Sequence, residues 1–461
     1  MRAFPLWFLS NLAVRLPVFK LEPEPPKSKQ RRKRMKFGKV GQVVLVSAIA
    51  LVLASAFTAC GTLTVGFLFV PTNKQTPGQI EVYEVNSEAG TLRTIPTSPF
   101  PSGGRDPIAE AVSPAPINGI DSLYAANQDD NNIVQFTIGT DGKLYPQSTI
   151  NTPGTYPLAL AINSAGTYEY VLDTLGPVAG CSLANPCPGI IAGYAVTTAA
   201  TASGTAGSYE PGTLGQVCVS GTCTLGTPVT NSNNLPYVNL LESPSNKSTV
   251  LTPTAINITA NGKFLYVTAY LENASTTTAT YAGFIFGFSI SSTGALTAVN
   301  GGVPVSTGGQ LVALTSDTAS QSLYVVDETN NQVESYSIGS DGTLTAQGST
   351  PTGNQPSALT LVNDKYLYVT NSLDSTINAY TASAGTLTKI GTYATDTNPI
   401  AVVGDPRNLG FLYTVNFLNG TLSGYKINQT DGSLINTDHS PYLSSAQPTT
   451  ITGIPHGGST H

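Results

Sequence analysis

The chain has 461 residues, of which only 10% are charged, against about a quarter in an average soluble domain. Its 45 glycines and 32 prolines argue for a turn-rich β protein and against a helical bundle or coiled coil. Charge is uneven: 11 of the 21 Lys and Arg lie in residues 1–60, leaving residues 61–461 with 10 cations against 25 carboxylates, a net of −15, which repels phosphate backbones and excludes nucleic acid as a partner.

The first sixty residues read as an address. Residues 27–39, KSKQRRKRMKFGK, hold eight Lys or Arg, and residues 40–59, VGQVVLVSAIALVLASAFTA, hold no charge. Basic, then apolar, then small residues is the order of an export signal, predicted here over 35–59. Residues 1–34 are then a basic extension or a misassigned start, since Met35 opens a basic segment of ordinary length. Phe57-Thr58-Ala59-Cys60 resembles a bacterial lipobox, which implies acylation of Cys60 and a lipid-anchored protein. An uncleaved signal anchor is the alternative, because twenty apolar residues can span a bilayer with the basic side held in the cytoplasm. Either reading places residues 60–461 outside the cytoplasm, in the periplasm or on the cell surface of a bacterium.

From residue 67 one phrase recurs: a Pro-led apolar strand, a turn, then a strand reading Leu-Tyr-Val or nearly so. Its aromatics are Phe69, Tyr124, Tyr170, Tyr266, Tyr324, Tyr368 and Tyr413, spaced 55, 46, 96, 58, 44 and 45 residues apart. Four-stranded propeller blades repeat at about 40–50 residues. Each phrase leads into alternating runs such as IVQFTI and VESYSI, the period of a strand with one buried face. Asp141-Gly142, Asp341-Gly342 and Asp431-Gly432 supply the positive φ angles of tight hairpins. The pattern predicts an all-β, seven-bladed β-propeller over 60–461. The first phrase lacks its Pro-led strand, and PTTITGI (448–454) is such a strand without a phrase. Pairing the two termini in one blade closes the ring and removes its open edges.

Along the chain, Arg105 and Asp106 occupy a loop just before a Pro-led strand, where one mouth of a central channel is expected. They are candidate substrate-binding residues, Arg105 for a carboxylate or phosphate, with a structural Arg-Asp pair at a turn as the alternative. Asp129-Asp130 reads as a solvated turn. The 96-residue gap between phrases reads as one blade with inserted loops at about 174–250. Cys181, Cys187, Cys218 and Cys223 fall in this insertion. Their short separations favour Cys181–Cys187 and Cys218–Cys223 disulfides in an oxidising compartment; a zinc site is the competing reading.

The LYVTN phrase at 367–371, the IGSDGTL hairpin and the Pro-led strands resemble the seven-bladed propeller lactonases, the 6-phosphogluconolactonase-like proteins and their cycloisomerase relatives. The resemblance covers residues 67–454. It implies a reacting centre at the channel mouth, where such proteins carry an Arg-His pair before one strand and a Glu after the next. GGQLVALTSDTASQSLYVVDE (308–328) is the nearest match here. Glu328 falls on the family's Glu and is the candidate catalytic acid or base, while Gln310 and Leu311 stand where Arg and His are expected.

Two functions follow. One is hydrolysis of a sugar-lactone-like substrate, which needs a base to activate water and a donor for the growing oxyanion; Glu328 and Arg105 would have to meet across the channel. The other is a non-catalytic propeller that binds an envelope polymer or a protein. The three histidines, His439, His456 and His461, read as surface residues. No nucleotide-binding loop, serine elbow or metal-ligand cluster is present in the sequence, so neither cofactor nor metal is expected. The expected partners are a small carbohydrate-like ligand, or a polymer or protein of the envelope. The membrane is expected only through the N-terminal anchor, and the protein is expected to be a monomer.

Overall fold

The computed structural model describes residues 64–456, apart from 74–75, 199–210, 220–221, 244, 246–248 and 274–279. The expected signal, Cys60 and His461 lie outside the described residues. No helix among the described residues is long and apolar enough to cross a membrane.

Seven antiparallel sheets form the seven blades. Blade 1 is built from both ends of the domain: Thr64–Thr72, Gln79–Asn86 and Leu92–Thr94 are joined by Thr452–Pro455 as the innermost strand. Register runs from Gly66 opposite Pro455 to Phe69 opposite Thr452, with a further bridge between Thr72 and Pro448. Close approach is possible because Gly66 and Gly453 have no side chain; a Cβ on Gly66 would lie 2.7 Å from the Ile454 carbonyl oxygen.

Blades 2 to 7 begin at Pro107, Thr155, Thr252, Leu311, Pro356 and Pro399. Each starts with an inner strand of mixed burial, followed by a second strand that is almost wholly buried, such as Ser322–Asp327 and Phe411–Asn416. The 96-residue gap holds no eighth blade. Blade 3 comprises Thr155–Ile162, Tyr168–Leu175, Ile190–Ala195 and a short outer strand Val238–Asn239. Its insertion carries a separate hairpin, Val217–Val219 with Thr222–Thr224, crossed by the Cys218–Cys223 disulfide. Cys181–Cys187 closes a second, smaller loop.

The recurring tyrosine has a repeated task. Tyr170 of blade 3 donates to the carbonyl oxygen of Gly294 in blade 4 at 2.8 Å, Tyr266 to Gly342 in blade 5 at 2.7 Å, and Tyr368 to Gly432 in blade 7 at 2.9 Å. The acceptor glycines turn the outer hairpins at φ of +78°, +84° and +78°, a region that ordinary side chains avoid. An aromatic two residues before each tyrosine lies on the same glycine: a Cβ on Gly342 would meet Phe264 at 2.5 Å, and one on Gly432 would meet Tyr366 at 2.4 Å. The Leu-Tyr-Val phrase and the hairpin glycine are therefore two halves of one contact between successive blades. Burial without a partner would leave each hydroxyl and carbonyl at a cost of about 1–3 kcal/mol, so the pairing fixes which hairpin sits on which blade.

Candidate functional site

Loops entering the inner strands and loops leaving the second strands share one mouth of the ring. In blades 3 and 6 the end of the second strand caps the loop that enters the blade: Gly154 N–H donates to Asp173 at 2.9 Å and Gly353 N–H to Asn371 at 3.0 Å. Asp173, Asp327, Asn371 and Asn416, each three residues beyond a phrase tyrosine, are fully buried. This polar collar is structural; the loops it holds carry the candidate residues.

Arg105 stands at the blade 2 mouth, half-exposed. Its Nε donates to Asp130 Oδ1 at 2.8 Å, its backbone N–H donates to Asp130 Oδ2 at 2.8 Å, and its guanidinium also reaches the Asp129 carbonyl oxygen at 3.2 Å. The hydrogen bond and charge of Asp130 raise the guanidinium pKa, and Arg105 in turn lowers that of Asp130. The ion partner is Asp130 of the next loop and not the adjoining Asp106. Asp106 holds φ of +54°, and its carboxyl is raised, chiefly by desolvation, against a hydrogen bond from Asn73. A mouth pocket of about 370 Å³ lies beside Arg105, lined also by Asp129, Tyr156 and the disulfide-closed loop at Cys181. One cation among two aspartates makes this pocket no anion trap.

Glu328 follows the second strand of blade 5. Its backbone N–H donates to the Gln310 carbonyl oxygen at 2.9 Å, which fixes the loop at the position the family resemblance picks out. The carboxylate has no hydrogen-bond partner among the described residues, and partial burial raises its pKa. The Tyr270 hydroxyl on neighbouring blade 4 is raised first by desolvation, then by the charge of Glu272 and last by that of Glu328, against a hydrogen bond with Thr252. Tyr270 packs edge-on against Tyr281, ring centroids 5.7 Å apart. Both tyrosines project from an over-long hairpin of blade 4, Phe264–Asn273 with Thr280–Ile290.

The mouth thus divides the sequence candidates between two places. Glu328 on blade 5 and the Tyr270–Tyr281 pair on blade 4 lie on adjacent blades, whereas Arg105 and Asp106 sit at blade 2, and no hydrogen bond or ion pair joins the two groups among the described residues. Tyr270 and Tyr281 were not singled out by sequence reasoning. The available signal was FLYVTAYLEN (264–273), in which alternation continues past the phrase where other repeats turn. His439 lies on the outer rim of blade 7, between Leu434–Asn436 and Tyr442–Leu443, and His456 packs on Phe67 with ring centroids 5.4 Å apart. Among the described residues no group of three or more His, Cys, Asp or Glu could hold a metal. An apolar cavity of about 300 Å³, lined by Val238, Phe286, Phe288 and Val303, lies on the outer seam of blades 3 and 4, away from these groups.

Residues 314–451 match the family described as lactonase, 7-bladed beta-propeller. That stretch takes in most of blades 5 to 7. The matched stretch includes Glu328 and excludes Arg105. No curated protein matches the chain. Among solved structures, a proposed 6-phosphogluconolactonase from Bacteroides fragilis superposes with a TM-score of 0.62 at 16% identity, covering 85% of this chain and 99% of its own. The periplasmic gluconolactonase PpgL of Pseudomonas aeruginosa superposes with a TM-score of 0.59 at 14% identity, covering 85% and 99%. At these identities the likeness is one of fold.

Proposed function

We propose that this lactonase-family propeller works outside the cytoplasm, tethered through its N-terminal segment, and hydrolyses a sugar-lactone-like substrate at the mouth between blades 4 and 5. The observation that carries the reading is Glu328: a half-buried carboxylate, without a hydrogen-bond partner among the described residues, at the acidic position of the family resemblance and on the blade next to Tyr270. Glu328 takes a proton from water, and the water oxygen attacks the lactone carbonyl carbon. The Tyr270 hydroxyl, which its raised pKa keeps protonated at neutral pH, donates to the oxyanion. The ring C–O bond then breaks, and the leaving alkoxide recovers the proton from Glu328 to give the hydroxy acid. Tyr281 and Tyr270 offer ring faces for a sugar.

The two disulfides are consistent with an oxidising compartment.

A non-catalytic envelope propeller is the second reading, favoured by Gln310 and Leu311 in place of Arg and His and by the engagement of Arg105 with Asp130. A lactone-hydrolysis screen of the protein against Glu328→Gln separates the two. Loss of a general base lowers turnover by about 10²- to 10⁴-fold; equal background rates would leave the binding reading.

A further inference from the structure

In blades 1, 4 and 7 the outer strand is broken into two short pieces, both paired with the third strand. Where the break begins, the backbone N–H groups of Ile95, Val299 and Thr437 donate to the carbonyl oxygens of Val82, Gly287 and Gly424 at 3.0, 2.8 and 2.9 Å. The N–H of that third-strand residue points to the same edge and needs an acceptor of its own. Blades 1 and 7 supply one three residues further on: Ser98 Oγ accepts from Val82 N–H at 2.9 Å, and Ser440 Oγ from Gly424 N–H at 2.9 Å. Blade 4 has Gly302 at this place, with φ of +82° and no hydroxyl. The Gly287 N–H is left without an acceptor among the described residues.

The break in blade 4 is also hollow. The cavity of about 300 Å³ opens on its blade 3 side and one of about 100 Å³ on its blade 5 side, and Gly287, Val299 and Val303 line both. In the larger cavity Phe286 and Phe288 form the blade 4 wall, while Val238 and Asn239, the outer strand of blade 3, form the facing one. The walls are tied together: Leu296 N–H donates to Asn231 Oδ1 at 2.8 Å, and Ser232 Oγ donates to the Leu296 carbonyl oxygen at 3.1 Å. Asn239 lines the same cavity, and its side-chain amide has no hydrogen-bond partner among the described residues. Apolar walls with a few unpaired polar groups are the make-up of a small-molecule site, and this volume lies at the low end for one. The unpaired donors ask for an acceptor oxygen. No charged side chain lines either cavity among the described residues, so a carboxylate would enter without a counter-charge. A neutral carbonyl oxygen fits the donors without that cost.

We propose that the broken outer strand of blade 4 is a binding site for a small, neutral, apolar molecule bearing a carbonyl oxygen, which accepts from the Gly287 N–H with the Asn239 amide as a second donor. The site lies apart from Glu328 and does not depend on the hydrolytic reading. The test titrates the full chain with acetophenone and with α-methylstyrene, which has the same shape but a methylene in place of the oxygen, by saturation-transfer NMR. Acetophenone binds saturably and about tenfold more tightly than α-methylstyrene, the worth of one hydrogen bond to a donor otherwise unpaired. Asn239→Leu weakens acetophenone and leaves α-methylstyrene unchanged. Val303→Trp, at a half-exposed position on the rim, keeps the fold and loses both probes. Crystals with acetophenone show its oxygen within hydrogen-bond distance of Gly287 N. Absence of saturable binding, equal affinity for the two probes, binding that survives Val303→Trp, or an oxygen turned away from Gly287 would overturn the proposal and leave the break a packing defect filled by water.

Discussion

The phenolic hydroxyl of Tyr413 donates to the carbonyl oxygen of Gly90 at 2.8 Å, across 323 positions of sequence. This is the latch between blade 7 and blade 1, so a contact that elsewhere joins consecutive repeats here joins the last to the first. Tyr413→Phe leaves the Gly90 carbonyl buried without its donor and lowers stability by about 1–3 kcal/mol, read from chemical denaturation. Gly90→Ala is worse. Its φ of +66° and a Cβ 2.2 Å from Phe411 combine left-handed strain with overpacking, about 2–4 kcal/mol. Equal losses for the two variants would show that the hydroxyl, and not the fit of the glycine, governs closure.

Deleting residues 448–461 removes the inner strand of blade 1 and exposes the edge of Thr64–Thr72. An unpaired edge of nine largely buried residues invites pairing with other chains. Size-exclusion chromatography is expected to show association or aggregation, together with a lower Tm. A truncated chain that stays monomeric with an unchanged Tm would mean that the terminal strand adds nothing to closure.

Glu328 sets the pH dependence of the proposed hydrolysis. A general base works only when ionised, and burial raises its pKa above that of an exposed glutamate. The rate therefore stays low in acid and rises as pH climbs through that raised value. Tyr270→Phe removes the proposed oxyanion donor and lowers kcat by about 10²-fold without moving that limb by much. Arg105→Ala leaves kcat unchanged, because Arg105 belongs to the blade 2 ion pair. A kcat that falls with Arg105→Ala and ignores Tyr270→Phe would transfer the site to the other side of the mouth.

Asp173 links stability to pH in the opposite sense from a surface carboxylate. Desolvation raises it from 3.8 to about 7, against a hydrogen bond from Gly154 that favours the charged form. A raised carboxyl binds its proton more tightly in the folded state. Its contribution is thus complete below about pH 4 and is lost as pH rises through 7. Asp173→Asn should flatten the stability profile between pH 4 and 7 relative to the parent, by roughly 4 kcal/mol across the window. Superimposable profiles would mean that Asp173 is ionised throughout.

Cys181–Cys187 closes a short loop that walls the pocket beside Arg105. Closing a loop of this length removes about 2 kcal/mol of chain entropy from the open state. Replacing both cysteines by serine should speed hydrogen exchange in this loop and leave the exchange of Tyr168–Leu175 unchanged. Faster exchange in that buried strand would show that the loop supports the blade as well as the pocket.

Seven blades, their closure through both termini and the two disulfides were legible in the sequence, because each rests on a local pattern repeated along the chain. Tyr124, Tyr170 and Tyr266 could be recognised as packing residues since repetition argues against a unique site. The acidic position at Glu328 was legible through the family's phrase. The Tyr270–Tyr281 pair of the adjacent blade was not: it exists because one hairpin overruns its blade, and strand length is weakly encoded in alternation. Arg105 was visible as a rare cation at the mouth, but its partner Asp130 lies 25 residues on and is chosen by loop geometry.

The sequence by itself determined the repeat, its period and the buried face of each strand, because periodicity and turn chemistry act over a few residues. Tertiary structure alone decided which loops meet around the ring and that Arg105 and Glu328 stand in separate groups. These depend on how seven sheets turn about one axis, and distances across that axis are set by the closure of the whole ring.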